Sequence, residues 1–205
     1  QGFYWTAATG PILIGDLPTN PGTGLRSVVR AISADGMILA GDGSGEHGIE
    51  AFIYRRDTGQ FTPLGALSQS PFSSWAYDLS ADGTIAVGSS YVASGQLKAF
   101  RWTAESGMVG LPYLATSPGF TPWSQAEAIS ASGAVIIGEC RSTASGNAME
   151  ACRWIKQVPT GLGDLPGGAF QSWAYAVCAD GSIIVGRATI EGTPGPFGGG
   201  SAPRA

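Results

Sequence analysis

The sequence predicts an all-β fold assembled from four copies of one unit of about fifty residues. Three observations support this prediction. Charged residues make up only 13% of the 205-residue chain, whereas glycine occurs 32 times, a composition typical of short strands joined by tight turns. The strand-like segments are rich in Ile, Val and aromatic residues, and no segment holds a helical period over ten residues. One sequence pattern also returns four times.

The repeated pattern begins with a strand, a glycine turn and a second apolar strand. It starts at Ser27, Ser74, Ser124 and Ser172, so the copies lie 47, 50 and 48 residues apart. The turn reads Ala-Asp-Gly in three copies and Ala-Ser-Gly in the third copy. Glycine tolerates positive φ and Asp can accept a hydrogen bond from its own turn, so each copy is expected to form a β-hairpin.

Two further blocks complete each unit. The first three units continue with an aromatic block and then a closing block rich in Leu, at 51–54 and 64–67, 99–102 and 111–114, and 151–154 and 162–165. The fourth unit lacks both blocks, and matching ones stand at the other end of the chain, at 2–5 and 14–17. Each unit is therefore expected to supply four short strands.

Four-stranded units of this length match the blades of a β-propeller, for which four blades is the low end of the usual range. We predict a four-bladed β-propeller over residues 1–188, with four-stranded antiparallel blades. The complete units are 27–73, 74–123 and 124–171. One blade is completed by both chain ends, 1–20 and 172–188, which hides two strand edges. The alternative is an open array of sheets cut from a longer protein.

Residues 189–205 match nothing in the repeat. They are rich in Gly and Pro and have almost nothing to bury, so they are expected to form a tail or linker.

The pattern Ile-Ser-Ala-Asp-Gly, Ile-Val-Gly, Ala-Phe-Arg-Trp and Leu-Gly-x-Leu resembles the HAF-family extracellular repeats. The resemblance covers about residues 1–188 and rests on four matching units. It implies a bacterial, exported, propeller-like protein that is secreted or held at the cell surface, and it brings no catalytic residues. Two departures from the pattern are Cys152 in place of Phe and Ser132 in place of the turn Asp.

The charge and hydropathy patterns limit the partners. The formal net charge is −4, and the only adjacent basic pair is Arg55 and Arg56, so nucleic acid is not expected as a partner. No apolar run approaches the roughly 20 residues that a membrane helix needs. The chain opens on Gln1, as a processed secretory protein or an excised fragment would.

The sequence favours a protein without catalytic activity. His47 is the only histidine, which removes multi-histidine metal sites and allows a Ser-His-Asp triad only through one residue of a glycine-rich loop. No Gly-x-Ser-x-Gly elbow is present to supply a nucleophilic serine. The turn carboxylates Asp35, Asp82 and Asp180 occupy equivalent positions in different blades, so they are expected to lie too far apart for acid and base catalysis.

One loop suggests a weak cation site. Asp42, Ser44, Glu46 and Glu50 place oxygen-bearing side chains at alternate positions, which is how loops wrap Ca²⁺. The alternative is a polar hairpin loop without a bound ion. No other cofactor is expected.

The cysteines suggest one disulfide. Cys140 ends the second strand of its unit and Cys152 begins the third, so a hairpin between these strands would bring them within bonding reach. A disulfide would also fit an exported protein. Cys178 replaces a serine of the other units and is expected to be a small buried thiol.

The aromatic residues form two sets. One aromatic recurs at the same point of every unit, as packing between blades requires: Trp5, Tyr54, Trp102 and Trp154. The second set is present in only two units and is the weak candidate for binding a sugar ring or a protein partner, with core packing as the alternative. It consists of Trp75, Tyr77, Trp173 and Tyr175.

These observations favour a non-catalytic extracellular structural or interaction module. Its terminal strands and tail would bind a protein partner or a second copy, giving a self-assembling cell-surface subunit. The alternative is a lectin-like propeller that binds carbohydrate or peptide, and a secreted hydrolase or lyase ranks third.

Overall fold

The computed structural model describes residues 1–17 and 26–190, in which sixteen strands and no helix occur. The strands form three four-stranded sheets flanked by two two-stranded sheets, and every pair is antiparallel. The predicted all-β fold is therefore confirmed. None of the described residues forms a helix suited to crossing a membrane. Positions 18–20 of the predicted split unit and 191–205 of the predicted tail lie outside the described residues.

Sheet 1 contains β3 (Ser27–Ile32), β4 (Ile38–Ser44), β5 (Ile49–Arg55) and β6 (Gln60–Pro63). Sheet 2 contains β7 (Ser74–Leu79), β8 (Ile85–Tyr91), β9 (Leu97–Thr103) and β10 (Gly107–Gly110). Sheet 3 contains β11 (Ser124–Ile129), β12 (Val135–Arg141), β13 (Met149–Ile155) and β14 (Val158–Gly161). Within each sheet the strands follow chain order.

The two flanking sheets hold two strands each. The N-terminal half-sheet consists of β1 (Phe3–Thr6) and β2 (Gly10–Leu13). The C-terminal half-sheet consists of β15 (Ser172–Val177) and β16 (Ile184–Ala188).

A β-bulge near the middle of the first strand recurs in every hairpin that opens a unit. In sheet 2 the register shifts between Ala76 and Asp78, opposite Gly88. A side chain at Gly88 would collide with the carbonyl oxygen of Trp75, so only glycine fits there. The same collision exists at the equivalent glycines Gly41, Gly138 and Gly186. This bulge explains why every copy of the repeat ends its second apolar block on glycine.

The sheets stack in chain order and are joined at their glycine turns by backbone hydrogen bonds. The N–H of Ala34 donates to the carbonyl of Ala81 at 2.8 Å, and Ala81 donates in turn to Ala131 at 3.0 Å. Ala131 donates to Ala179 of the C-terminal half-sheet at 3.0 Å. All three hydrogen bonds of this series therefore point the same way along the stack.

A serine at the start of each sheet binds the sheet before it. Ser74 Oγ accepts a hydrogen bond from the N–H of Ala51 at 2.9 Å and donates to the carbonyl of Gly65 at 2.6 Å. Ser27 makes the same pair of bonds to Gly2 and to Gly15. Gly2 therefore takes the place of Ala51, and the N-terminal half-sheet represents the third and fourth strands of a blade, which agrees with the sequence match.

The apolar core lies between neighbouring sheets. Phe100 of sheet 2 is fully buried with Ile53 and Leu64 of sheet 1. Trp154 of sheet 3 is buried in the same way with Val87 of sheet 2. Each interface therefore depends on the sheet that follows, since one sheet alone cannot cover its own faces.

The blade predicted from both chain ends is not formed within the chain. The two half-sheets pair only internally and do not hydrogen bond to each other among the described residues. Three complete sheets lie between them in the stack, which is not closed.

Candidate functional site

The N-terminal half-sheet exposes aromatic residues that the complete sheets bury. Trp5 is 63% exposed, whereas Trp154 and Tyr54 at the same position in complete sheets are 1% and 7% exposed. Phe3 is 56% exposed, and the equivalent Phe100 is fully buried. These side chains are exposed because β1 has no second strand of a blade beside it, not because the repeat places a polar position there.

The C-terminal half-sheet shows the complementary pattern. Val185 is 57% exposed, whereas the equivalent Val87 is fully buried. Ile183 is 63% exposed, and the equivalent Ile38 is 9% exposed. Here the missing neighbours are the third and fourth strands of the blade.

The closing segment of sheet 3 is also uncovered on this side. Leu162 is 38% exposed, although the equivalent Leu111 is fully buried, and Leu165 is 59% exposed. Both leucines line a hollow of about 460 Å³ with Trp173 and Val185. A second hollow of about 540 Å³ lies at the other end of the stack, between β1 and β3. The two hollows occupy the places where a complete unit carries its other half.

Cys178 lies at the same end of the molecule. The sequence predicts a buried thiol because the equivalent Ser33, Ser80 and Ser130 are turn residues, and all three are buried. Cys178 is only half-buried, since no further sheet covers its turn, so that prediction is wrong for this chain as it stands. Its thiol donates a hydrogen bond to Asp180 at 2.8 Å.

The candidate aromatic residues are divided between two places. Trp75 contacts the Tyr91 ring edge-on at 5.6 Å between centroids. Tyr77 is held by its neighbours: its hydroxyl accepts a hydrogen bond from Ser89 at 3.3 Å, and the Arg30 guanidinium lies 5.3 Å from its ring centre. Burial raises the pKa of Tyr77. Both rings therefore have packing partners, from sheet 2 itself and, for Tyr77, also from sheet 1.

Trp173 and Tyr175 belong to the C-terminal half-sheet instead. The guanidinium of Arg187 lies 5.5 Å from the Trp173 ring centre, and Tyr175 is 54% exposed. Sheet 3 separates this pair from Trp75 and Tyr77, so the four rings do not form one site.

Two carboxylates of the acidic loop have separate partners. The buried Asp42 accepts a hydrogen bond from Arg30 Nε at 2.5 Å and pairs with Arg26 at 3.8 Å. Glu50 accepts a bond from the N–H of Gly65, and burial raises its pKa. Glu46 is exposed.

Ser44, the remaining residue of the predicted set, ends β4 and is half-buried. Within residues 1–17 and 26–190, no group of three or more His, Cys, Asp or Glu side chains is suited to a metal ion. Ca²⁺ at this loop stays a sequence prediction.

The turn carboxylates serve their own turns. Asp35 accepts hydrogen bonds from Ser33 at 2.6 Å and from the N–H of Met37 at 2.9 Å, which lower its pKa. At Asp180 the Cys178 thiol and Ser182 lower the pKa to about 2. The lone histidine, His47, packs edge-on against Phe72. Asp35, Asp180 and His47 therefore each have a partner that explains their position in the fold.

Sequence reasoning missed one acidic pair. Glu139 on β12 lies near Glu127 on β11, and its Oε2 atom is buried without a hydrogen-bond partner in the described structure. Burial, reinforced by the charge of Glu127, raises the pKa of Glu139 to about 7. The signal available in the sequence was variability, because the equivalent positions hold Asp42, Ser89 and Arg187.

Cys140 and Cys152 form the predicted disulfide, with their Cα atoms 6.1 Å apart. Both residues are fully buried, and the bond joins β12 to β13. It lies on the face that sheet 3 turns toward sheet 2.

Stacked four-stranded antiparallel sheets of this kind fit the β-propeller class of folds. Comparison with family models and with curated proteins finds no match. Among solved structures the chain is similar to TolB from Acinetobacter baumannii, with a TM-score of 0.53 and 13% identity over 82% of this chain and 39% of that chain.

A putative TolB from Agrobacterium tumefaciens has a TM-score of 0.48 and 16% identity over 78% of this chain and 54% of that one. The chain thus spans about two-fifths of the first protein and about half of the second. The likeness to the Acinetobacter protein supports the propeller fold, and it says nothing of activity.

Proposed function

We propose that this chain is a non-catalytic structural and interaction module that binds protein through its two half-sheets and works outside the cytoplasm. The observation that carries the proposal is the contrast in exposure at equivalent positions. Val185 and Trp5 are largely exposed, whereas Val87 of sheet 2 and Trp154 of sheet 3, at the equivalent positions, are buried. Apolar positions that the fold buries elsewhere mark surfaces for a protein partner.

The half-sheets also offer backbone groups. Among the described residues β1 pairs only with β2, and β16 pairs only with β15, so each has one edge without a strand partner. Such an edge takes up an added strand, whose main-chain hydrogen bonds give affinity while side-chain pockets give specificity. The hollow beside Leu162 and Trp173 supplies such a pocket.

Two features support a place outside the cytoplasm. The Cys140–Cys152 disulfide is of the kind that persists in oxidising compartments. The resemblance to HAF-family extracellular repeats implies export.

The proposal is tested by affinity capture from the cell envelope of the organism that encodes the chain. Proteins retained by the wild type are identified by mass spectrometry and re-tested as purified components. We expect at least one protein, which can be the chain itself, to bind the wild type and to be lost with the double variant Trp5→Asp/Val185→Asp. Equal retention by both would place the interaction elsewhere, and no purified binder at all would overturn the proposal.

A further inference from the structure

We propose that the partner of the half-sheets is a second copy of this chain, joined head to tail so that β16 of one copy pairs with β1 of the next. This inference rests on the proposed interaction function and specifies its partner. The two copies together build one complete four-stranded sheet across the junction, in the strand order that sheets 1 to 3 already show.

The two half-sheets are complementary parts of the same unit. The C-terminal half-sheet has the bulged hairpin that opens every unit, with its register shift between Ala174 and Ala176. The N-terminal half-sheet takes the position of the third and fourth strands, as the bonds from Ser27 to Gly2 and Gly15 establish. Two identical halves would not complete a unit, whereas these two do.

The register of the new pairing follows from the complete sheets. In sheet 1 Ile38 lies opposite Arg55, and Ala40 lies opposite Ile53. Ile183 is equivalent to Ile38 and Thr6 to Arg55, so Ile183 of one copy lies opposite Thr6 of the next. Val185 then lies opposite Tyr4. The pairing places a strand beside the exposed Ile183 and Val185.

The turn-to-turn hydrogen bonds continue across the same junction. Each turn alanine donates to the turn of the following sheet, and the series ends at Ala179. Within the described residues the N–H of Ala179 donates to no backbone acceptor, and the carbonyl of Ala34 receives no backbone donor. In the head-to-tail arrangement Ala179 N–H of one copy donates to Ala34 of the next, as Ala131 donates to Ala179 within a chain.

The apolar contacts at the junction also repeat an interface that the chain already contains. Phe100 of sheet 2 packs with Leu64 in the closing segment of sheet 1. By position, Phe3 of the second copy packs with Leu162 of the first. Both are exposed in the single chain, at 56% and 38%, and both are buried at the equivalent positions. One contact therefore accounts for exposed residues at opposite ends of the molecule.

The junction is heterologous, because it joins different surfaces of the two copies. Such contacts make a ring when the rotation closes and a filament when it does not. Two copies in a closed ring would carry about eight blades, which is within the known range for propellers.

Single-cysteine variants test the register directly. Thr6→Cys and Ile183→Cys are made separately in a Cys178→Ser background, mixed and oxidised with a mild disulfide catalyst. Directly opposite residues of an antiparallel pair lie close enough for a disulfide, with Cβ atoms about 5 Å apart. We expect covalent dimers in the mixture and none from either variant alone. The pair Gln1→Cys with Ile183→Cys is the control, since it lies roughly 16 Å out of register.

Sedimentation velocity of the purified wild type tests association itself. We expect dimers or larger species that dissociate in Val185→Asp and remain in the control Val158→Asp. The two valines are similarly exposed, at 57% and 62%, but Val158 lies on β14 away from the junction. A wild type that stays monomeric, or a Thr6→Cys/Ile183→Cys double variant that links only within one chain, would overturn the second-copy proposal. A different protein captured by the half-sheets would then leave the proposed function standing.

Discussion

The indole N–H of Trp154 in sheet 3 donates a hydrogen bond of 2.8 Å to the carbonyl oxygen of Pro112, in the segment that follows sheet 2. Trp154 is only 1% exposed whereas Pro112 is exposed, so this bond links a buried indole to a residue at the surface. A recurring aromatic of the repeat therefore does more than fill space, because it also satisfies a carbonyl that no strand pairs.

We expect Trp154→Phe to lower the free energy of unfolding by about 0.5–1.5 kcal/mol, because an aromatic ring is kept while the hydrogen bond to the carbonyl of the exposed Pro112 is lost. Urea unfolding followed by circular dichroism measures the change. Trp102→Phe is the matched control: it occupies the same position in sheet 2, is half-buried, and makes no side-chain hydrogen bond among the described residues. Equal losses in the two variants would mean that the hydrogen bond contributes little.

The serine that binds each sheet to the one before it gives a second prediction. Ser74→Ala leaves the N–H of Ala51 and the carbonyl of Gly65 without their buried partner. Leaving such groups unpaired costs about 1–3 kcal/mol, so the midpoint of urea unfolding should fall. The exposed Ser94→Ala should stay within about 0.5 kcal/mol of the wild type. A Ser74→Ala variant as stable as Ser94→Ala would show that water replaces the hydroxyl.

The elevated pKa of Glu139 predicts how stability depends on pH. Its pKa in the folded chain is about 7, above the ordinary value of 4.5, so the folded state holds the proton more tightly than the unfolded state. Stability should therefore fall as pH rises from about 4.5 to about 7, and the loss should persist above that range. Glu139→Gln removes this loss and should be more stable than the wild type at pH 8 by about 1–3 kcal/mol.

Urea midpoints measured between pH 4 and pH 8 test the Glu139 prediction, with the exposed Glu105→Gln as the control. Glu139→Gln and the wild type should converge toward pH 4. Parallel curves for the two proteins across the whole range would contradict the assignment of the buried carboxyl.

The disulfide gives a fourth prediction. Cys140 and Cys152 are 12 residues apart, and cross-linking so short a loop contributes about 2–3 kcal/mol in the chain-entropy model. Thermal unfolding with and without a reductant should show a lower midpoint for the reduced wild type. The Cys178→Ser variant should show the same shift, since Cys178 takes no part in the bond. An unchanged midpoint, with reduction verified by mass spectrometry, would argue that the bond adds no stability.

The repeat predicted the three complete sheets, their turns and the disulfide because these depend on short-range patterns. Cys140 and Cys152 had to approach once β12 and β13 paired as a hairpin. The pairing of the two chain ends could not be predicted in this way. Whether β1 meets β16 depends on the total rotation between the half-sheets over three complete sheets, and no local pattern specifies that rotation. The repeat identified the two halves but not whether one chain could unite them.

The surroundings of the polar side chains also could not be predicted from the sequence. Asp42 was predicted as a ligand in a loop, but β4 extends to Ser44 and places this carboxylate beside Arg30 in the interior. The burial of Glu139 was not predicted, because this residue is a single polar position in an apolar strand and the equivalent residue differs in every unit. Burial at such a position is decided by the neighbouring sheet, which a single unit does not reveal.

At all four boundaries a serine accepts a hydrogen bond from the preceding sheet, and the turn-to-turn bond recurs at the three boundaries from sheet 1 to the C-terminal half-sheet. An in-frame duplication of one unit would thus insert a sheet that already fits both of its neighbours, and a deletion would rejoin two surfaces that also match. The contacts at the boundaries therefore do not set the number of sheets, and variants of this chain with more or fewer units should fold by the same contacts.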